Sequence, residues 1–250
     1  MSEPDVIVVI PYFVRRDLLV EAMAAVEGLE LLVVDDSVEG VHLDAPVLRL
    51  EGGGGFARAA NAGLAEAERR GIDRVLLLND DAAPEPGCVE ALLAAFDEDV
   101  ALAGPILVGE EGVESAGIDF DPRSGRLRQR SVVPTEVTPV DALSGACLLM
   151  RSSLRFDEGF PHGMEDVDLA QRVDGRVVLV PDAICRHLGG ASVDRRSRRA
   201  TRDALVGHLR LVGGSPVRRS LVVGYALAQV LREGNRRERL VGIWEALSVS

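Results

Sequence analysis

Short, unbroken apolar runs alternate along the first half of the chain with longer stretches whose apolar positions recur at helical spacing. The run DVIVVIP at 5–11 is β-branched and reads as a buried strand. Residues 15–28 carry apolar side chains every three or four positions and close on Gly28, which predicts a helix. Strands are then expected at 29–37, 46–51, 73–80 and 100–108. A glycine-rich loop leading into a helix falls at 52–71, and another helix at 85–96. Such alternation predicts βαβ units, and with them a mostly parallel α/β sheet carrying helices on both faces. Ligands of these sheets bind beyond the carboxyl ends of the strands. Two of the expected strands end in paired carboxylates, Asp35-Asp36 and Asp80-Asp81, which are therefore expected to face one crevice.

The pattern changes after residue 110. A hairpin is expected over 115–130 with its turn near PRSG, followed by strands at 140–150 and 175–181. Between these, residues 156–173 read as a loop entering a helix near Glu165. From Arg195 onward the periodicity is helical, broken at 213–216 and at 234–235. The expected organisation is one α/β domain over 1–194, with halves at about 1–110 and 111–194, and a helical extension over 195–250.

Bulk composition, 47% hydrophobic and 27% charged, is that of a soluble globular protein. No apolar run reaches the roughly 18 residues of a membrane span, and the start of the chain lacks a signal-peptide pattern. The expected location is the cytoplasm. The net charge of −12 is unevenly spread: residues 1–185 hold 15 Arg against 35 Asp and Glu, whereas 186–250 hold 13 Arg against 5. The acidic body argues against nucleic acid as a partner. The basic tail suits an anionic membrane or a phosphate-bearing ligand, and equally a set of Arg-decorated surface helices. Cys88, Cys147 and Cys185 lack metal-ligand spacing and read as reduced, buried residues.

Four motifs carry candidate chemistry, and each also has a plain structural explanation. Asn79-Asp80-Asp81 offers hard oxygen ligands suited to Mg²⁺ or Mn²⁺ with a phosphate completing the shell. It also suits a simple strand terminus with an Asx turn. The loop GGGGFARAANAG is flexible backbone before a helix, a natural phosphate cradle, and Arg58 and Asn61 lie one helical turn apart there. Glu165, Asp166 and Asp168 favour a helix N-terminus electrostatically, and one of them is a candidate general base. His187, read as lying in a glycine-rich loop after the strand, is a candidate third metal ligand.

Taken in order, VIPYF, VVDDS, GGGGFARAANAGL, LLLNDDA, LSGACLLMRSS, FDEGFPHGMEDVDLAQRV and HLGGAS resemble the family 2 glycosyltransferases, in particular their rhamnosyltransferase-like branch. The resemblance covers about residues 5–195. It implies a GT-A fold, Rossmann-like, with a nucleotide-binding half and an acceptor-binding half on one sheet. It also implies metal-assisted, inverting transfer of a sugar from a nucleoside-diphosphate donor to an acceptor hydroxyl. By that resemblance Pro11 and Tyr12 lie beside the nucleobase, and Asp36, with Asp35 near it, recognises base or ribose. Arg58 and Asn61 approach the donor. Asp81 is the direct ligand of Mn²⁺ or Mg²⁺, His187 completes the metal site, and Asp80 lies near the ribose or a metal-bound water. Asp166 is the catalytic base, with Gly145 and Glu165 on the acceptor side. Glu51 and four glycines stand where the family has an Asn before its Gly-Phe segment.

The implied donor is a dTDP- or UDP-sugar, with rhamnose the leading guess. The implied acceptor is a glycan, a lipid-linked molecule or a small molecule. The helical tail is expected to form a peripheral membrane contact, a homodimer contact, or packing on the core. Two rival functions remain at this stage: a sugar-phosphate nucleotidyltransferase, and a non-catalytic nucleotide-sugar-binding scaffold.

Overall fold

The first apolar run becomes the centre of the sheet. In the computed structural model, which describes residues 6–161, 163–187, 197–232 and 235–249, strand β1 (Val6–Tyr12) is buried along its whole length. It pairs in parallel with β2 (Glu30–Asp35) on one side and β4 (Arg74–Leu78) on the other. Strand β3 (Val47–Arg49) extends this parallel group beyond β2. On the far side of β4 lies β11 (Cys147–Arg151), antiparallel both to β4 and to β6 (Val100–Gly109). Strand β12 (Arg176–His187) then pairs in parallel with β6. The order across the sheet is β10-β12-β6-β11-β4-β1-β2-β3, with β10 (Thr138–Pro139) at one edge.

Continuous apolar strands are needed because both faces of the sheet are covered. Successive side chains point to opposite faces. Ile7 and Val9 therefore pack with α2 (Phe56–Arg69) and α4 (Glu165–Arg172). Val6, Val8 and Ile10 pack with α1 (Arg16–Ala24) and α3 (Cys88–Ala95). Helix α2 approaches closely because Gly63 faces the sheet: a Cβ there would sit 2.2 Å from Val9 Cγ1. The cysteines are free and buried, as read from the sequence, but the fold gathers them. Cys88 and Cys185 lie against Cys147, and with burial they raise its pKa well above the usual thiol value.

The tail forms three helices, α5 (Arg198–Leu211), α6 (Pro216–Arg232) and α7 (Arg236–Val249), around a separate small core that includes Leu209, Val222 and Ile243. Helix α5 seats this bundle on the domain. Arg210 pairs with Asp157 at 3.0 Å and lies over the Phe160 ring. Gly207 lets the helix pack directly on Met164. The hairpin β8 (Ile118–Asp121) and β9 (Arg126–Gln129) turns where expected, and its Gly125 meets Val212 and Val222.

Several boundaries differ from the sequence expectation. The first helix ends at Ala24, and Gly28 closes the following turn at φ +92°. The strand expected at 140–150 begins only at Cys147. Residues Ala82–Pro84, between the expected strand at 73–80 and the expected helix at 85–96, form strand β5, antiparallel to the end of β12. That pairing extends β12 through His187, which is thus a strand residue and not a loop residue. Strand β7 (Gly112–Ser115) adds a further antiparallel rung to β6. The rest of the HLGGAS motif, the expected boundary at 194–195 and the expected break at Gly234 lie outside the described residues.

Gly63→Ala is expected to lower stability by about 1–3 kcal/mol through overpacking against Val9. Urea unfolding of the two proteins measures it.

Candidate functional site at the carboxyl edge of the sheet

Strand directions gather the chemistry on one edge. β1, β2, β4, β6 and β12 all end there. β11 runs the other way and so begins there, and Asn79 N–H donates to Ala146 O at 2.9 Å, tying its start to the tip of β4. Tyr12, Asp35-Asp36, Asn79-Asp80-Asp81, Gly145 and His187 consequently share an edge.

The two aspartates after β2 have separate surroundings. Asp36 Oδ2 accepts from the Gly54 and Gly55 amides at 2.7 and 2.9 Å, pinning the glycine-rich loop, while its buried Oδ1 has no partner among the described residues. Asp35 is saturated: Oδ1 accepts from Ser37 N and Oγ, and Oδ2 from Val41 N, with Arg49 at 2.8 Å. Burial pushes the Asp35 pKa up, but these donors outweigh it and leave the carboxyl below its usual range. Adjacent side chains of extended backbone diverge, so the pair cannot serve one ligand together. Pro11 and Tyr12 are buried at the end of β1, and the Tyr12 hydroxyl donates to Val14 O.

Arg58 and Asn61 are similarly divided. The Arg58 side chain folds over Gly54, where a Cβ would collide with it, and it has no carboxylate partner among the described residues. Asn61 instead clamps the 156–158 loop. Its Nδ2 donates to Phe156 O and Glu158 Oε1 at 3.0 and 2.9 Å, and its Oδ1 accepts from Phe156 N at 2.8 Å. Three positions on a helix are about 60° short of a full turn, enough to send the two side chains to different neighbours.

At the tip of β4 the carboxylates also part. Asp80 Oδ2 accepts from Phe13 N at 3.4 Å, and burial together with the Asp81 charge pushes its pKa up to about 6. Asp81 Oδ1 lies 3.4 Å from His187 Nε2, without an aligned hydrogen bond. His187 Nδ1 meets Glu114 Oε2 at 2.9 Å. Burial alone would lower the His187 pKa, but the two carboxylates reverse this and hold it at about 9. Among the described residues no group of three or more His, Cys, Asp or Glu is arranged as a metal cage. Asp81 and His187 nevertheless fit as a pair if the imidazole gives up its Nε2 proton to the solvent as a cation enters. Neighbouring ligands about 2.1 Å from an octahedral ion stand roughly 3 Å apart, and a ligating His with a carboxylate on its other nitrogen is a usual pairing. A small hard cation that keeps its remaining positions for waters and phosphate needs no more from the protein.

The third component stands at the N-terminus of α4. Gly163 and Met164 both take left-handed φ, +79° and +74°, and the non-glycine Met164 is held so against Gly207 of α5. Asp166 Oδ2 accepts from Gly145 N at 3.0 Å, and Oδ1 from Val167 N at 2.8 Å. Gly145 is needed there because a Cβ would press on Phe56 and approach Asp166. Burial raises the Asp166 pKa above the ordinary carboxylate value. Glu165 is buried with Oε2 unpartnered, and burial followed by the Asp166 charge lifts its pKa to about 7. Asp168 turns away to pair with Arg172 at 2.7 Å.

Sequence reasoning missed Glu114, the His187 partner. It lies in β7, a short exposed strand with no apolar alternation to announce it. A hollow of about 760 Å³ lies away from this edge, between α5 and α7, lined by Arg198, Arg202 and Trp244 among others. Arg198 is paired there with Glu245, and Arg202 with Asp203. The strand-tip edge, by contrast, holds buried oxygens of Asp36, Asn79, Asp81 and Glu165 that make no hydrogen bond among the described residues.

A carboxyl whose folded pKa is raised binds its proton more tightly in the native state, so its contribution to stability is lost as pH rises towards that value. For Glu165 the window runs from about pH 4.5 to 7, worth about 3 kcal/mol at ~1.4 kcal/mol per unit. Glu165→Gln is expected to remove this part of the pH dependence, leaving the variant the more stable protein at pH 8. Urea unfolding at a series of pH values reads the difference.

The comparisons with known proteins agree with this fold. Among solved structures, GalNAc-T7 with UDP, GalNAc and Mn²⁺ superposes with a TM-score of 0.64 at 15% identity, over 95% of this chain and 54% of that one. The S. aureus TarS fragment 1–349 in complex with UDP-GlcNAc gives 0.58 at 16%, over 97% and 80%. The longer TarS structure gives 0.54 at 16%, over 89% and 43%. The chain thus spans about half the length of the first and less of the longer TarS, and at these identities the likeness is one of fold. No curated protein matches the chain. The family described as Glycosyl transferase family 2 matches residues 7–154, well over half of the sequence, and the chain belongs to that family.

Proposed function

We propose that the protein transfers a sugar from a nucleoside diphosphate to an acceptor hydroxyl with inversion at the anomeric carbon. The observation that carries this reading is that four buried oxygens, on Asp36, Asn79, Asp81 and Glu165, make no hydrogen bond among the described residues and lie at the edge where Asp166 also stands. Buried polar atoms are ordinarily paired, and a ligand rich in hydroxyls with a bound cation would satisfy these.

The nucleotide-binding half is residues 1 to about 110, the acceptor-binding half about 111–194, and the tail begins near 195. Pro11, Tyr12 and Asp36 receive the nucleoside. Asp35 and Asn61 act at one remove, Asp35 by fixing the loop after β2 and Asn61 by holding the 156–158 segment. Arg58, with no acidic partner of its own, faces the diphosphate charge. Asp81 and His187 would hold Mn²⁺ or Mg²⁺, with Glu114 fixing the His187 ring and Asp80 next to the ribose or a metal water. The cation, when bound, supplies neutralisation of the leaving diphosphate.

Asp166 accepts the proton of the acceptor hydroxyl. Its raised pKa suits it to that transfer. The hydroxyl oxygen forms its bond to the anomeric carbon as the bond to the diphosphate breaks, from the opposite side, so configuration inverts and nucleoside diphosphate leaves. Gly145 and Glu165 flank the acceptor. The sequence motifs favour a rhamnosyltransferase-like enzyme with a dTDP- or UDP-sugar donor. GalNAc-T7 and TarS were solved with uridine nucleotides, in keeping with a pyrimidine donor.

Titration with the diphosphates of thymidine, uridine and guanosine, with Mn²⁺ and then with a chelator, tests the donor site. One nucleotide is expected to bind tightly and to be released on chelation; no binding by folded protein would overturn the reading. Asp166→Asn is expected to lower kcat by about 10²–10⁴-fold while leaving the nucleotide Kd within about threefold. Unchanged turnover removes Asp166 as base. Glu114→Gln is expected to weaken Mn²⁺ binding about tenfold or more, read by manganese paramagnetic resonance without any turnover.

A further inference from the structure

Helix α6 is apolar on two opposite sides, and the domain covers only one. Val222 and Val230 enter the small core of the tail. Almost opposite them, Val217, Leu221, Tyr225 and Leu231 form a stripe along the outer side, between 53% and 70% exposed. Their spacing of four, four and six residues keeps them on one helical face. Helix α7 also leaves apolar side chains exposed, Leu240, Trp244 and Leu247, next to a face on which Ile243 and Ala246 are buried. A helix with a covered apolar face needs no second one unless something else covers it.

The charges beside these stripes say what that is. Helix α6 contains Arg218, Arg219 and Arg232 and no acidic residue. Helix α7 opens with Arg236 and Arg237. Arg218, Arg232 and Arg237 are exposed and have no ion-pair partner among the described residues. A symmetric contact between two copies would set this same basic surface against itself. An anionic bilayer instead offers opposite charge to the arginines and a hydrocarbon boundary to the Leu, Tyr and Trp side chains. Residues 1–185, with 15 Arg against 35 Asp and Glu, would be repelled by the same surface, which orients the molecule tail-first. None of the described helices is long and apolar enough to cross a membrane, so the fitting mode is to lie in the interface.

We infer that the outer faces of α6 and α7 dock the protein peripherally on anionic lipid. The chain has one tryptophan, Trp244, exposed on α7 at the rim of the hollow it forms with α5. The test is co-sedimentation of the full chain with vesicles of phosphatidylcholine alone or mixed with phosphatidylglycerol, with Trp244 emission recorded in parallel. Binding to the mixed vesicles only, weakened by salt and accompanied by a blue shift, is expected. Leu221→Ser with Tyr225→Ser should abolish it. Arg218→Glu with Arg232→Glu should lower partitioning about tenfold or more, given roughly fivefold per basic residue near an anionic surface. Circular dichroism and urea unfolding show that each variant is folded. Absence of vesicle binding by the folded protein at low salt overturns the inference, as does binding indifferent to both double substitutions. A dimer in sedimentation equilibrium that dissociates in the Leu221–Tyr225 variant, without vesicle binding, assigns the face to a second copy and also overturns it. The assay needs no turnover, so it stands apart from the glycosyl-transfer reading.

Discussion

Strand β11 enters the sheet between β4 and β6 in the opposite direction to both, so its beginning meets the ends of theirs. Without that reversal Gly145 would lie at the far edge of the sheet, away from Asp80 and Asp81. With it, the Gly145 amide reaches Asp166 Oδ2, and the start of α4 is drawn to the same edge as the strand tips. One antiparallel strand in a largely parallel sheet therefore joins the two halves of the site. The buried Asn79–Ala146 backbone bond fixes how closely they meet.

An edge that collects carboxylates carries an electrostatic cost, and the structure places it unevenly. Asp35 is surrounded by donors and stays ionised easily. Asp80, Glu165 and Asp166 are buried with fewer donors, and their pKa values all rise. A like charge close by disfavours ionisation and a bound cation restores it. The difference separates groups that hold the scaffold from groups with capacity left for a ligand. Asp36 does both, with one oxygen on the glycine loop and the other unpartnered.

The parallel strands were legible in the sequence because burial on both faces demands unbroken apolar runs, and β1, β2, β4 and β6 have them. The GT-A-like arrangement and the helical extension followed from the same alternation and motifs. Strand β5 was not legible: Ala-Ala-Pro has no periodicity of its own and becomes a strand only against distant β12. The location of His187 was misread for the same reason, since the pairing that extends β12 is tertiary. Adjacent or near-adjacent candidates such as Asp35 and Asp36, or Arg58 and Asn61, looked alike in sequence and diverge in space, because side-chain direction depends on backbone geometry more than on spacing. Glu114 had no local signal; only the fold brings it to His187.

Strand β12 carries three residues, 181–183, that have no counterpart on β6, between the rungs Val180–Pro105 and Ile184–Ile106. Past this bulge the strand resumes in a new register, and that register alone decides which side chain meets Asp81. Insertion of one residue there, with the width of the bulge kept, would bring Arg186 to the position of His187 and turn the imidazole to the opposite face. An imidazole held between two carboxylates would be exchanged for a longer, permanently charged guanidinium. In this fold, then, the length of a short irregularity selects which side chain is held beside Asp81 and Glu114.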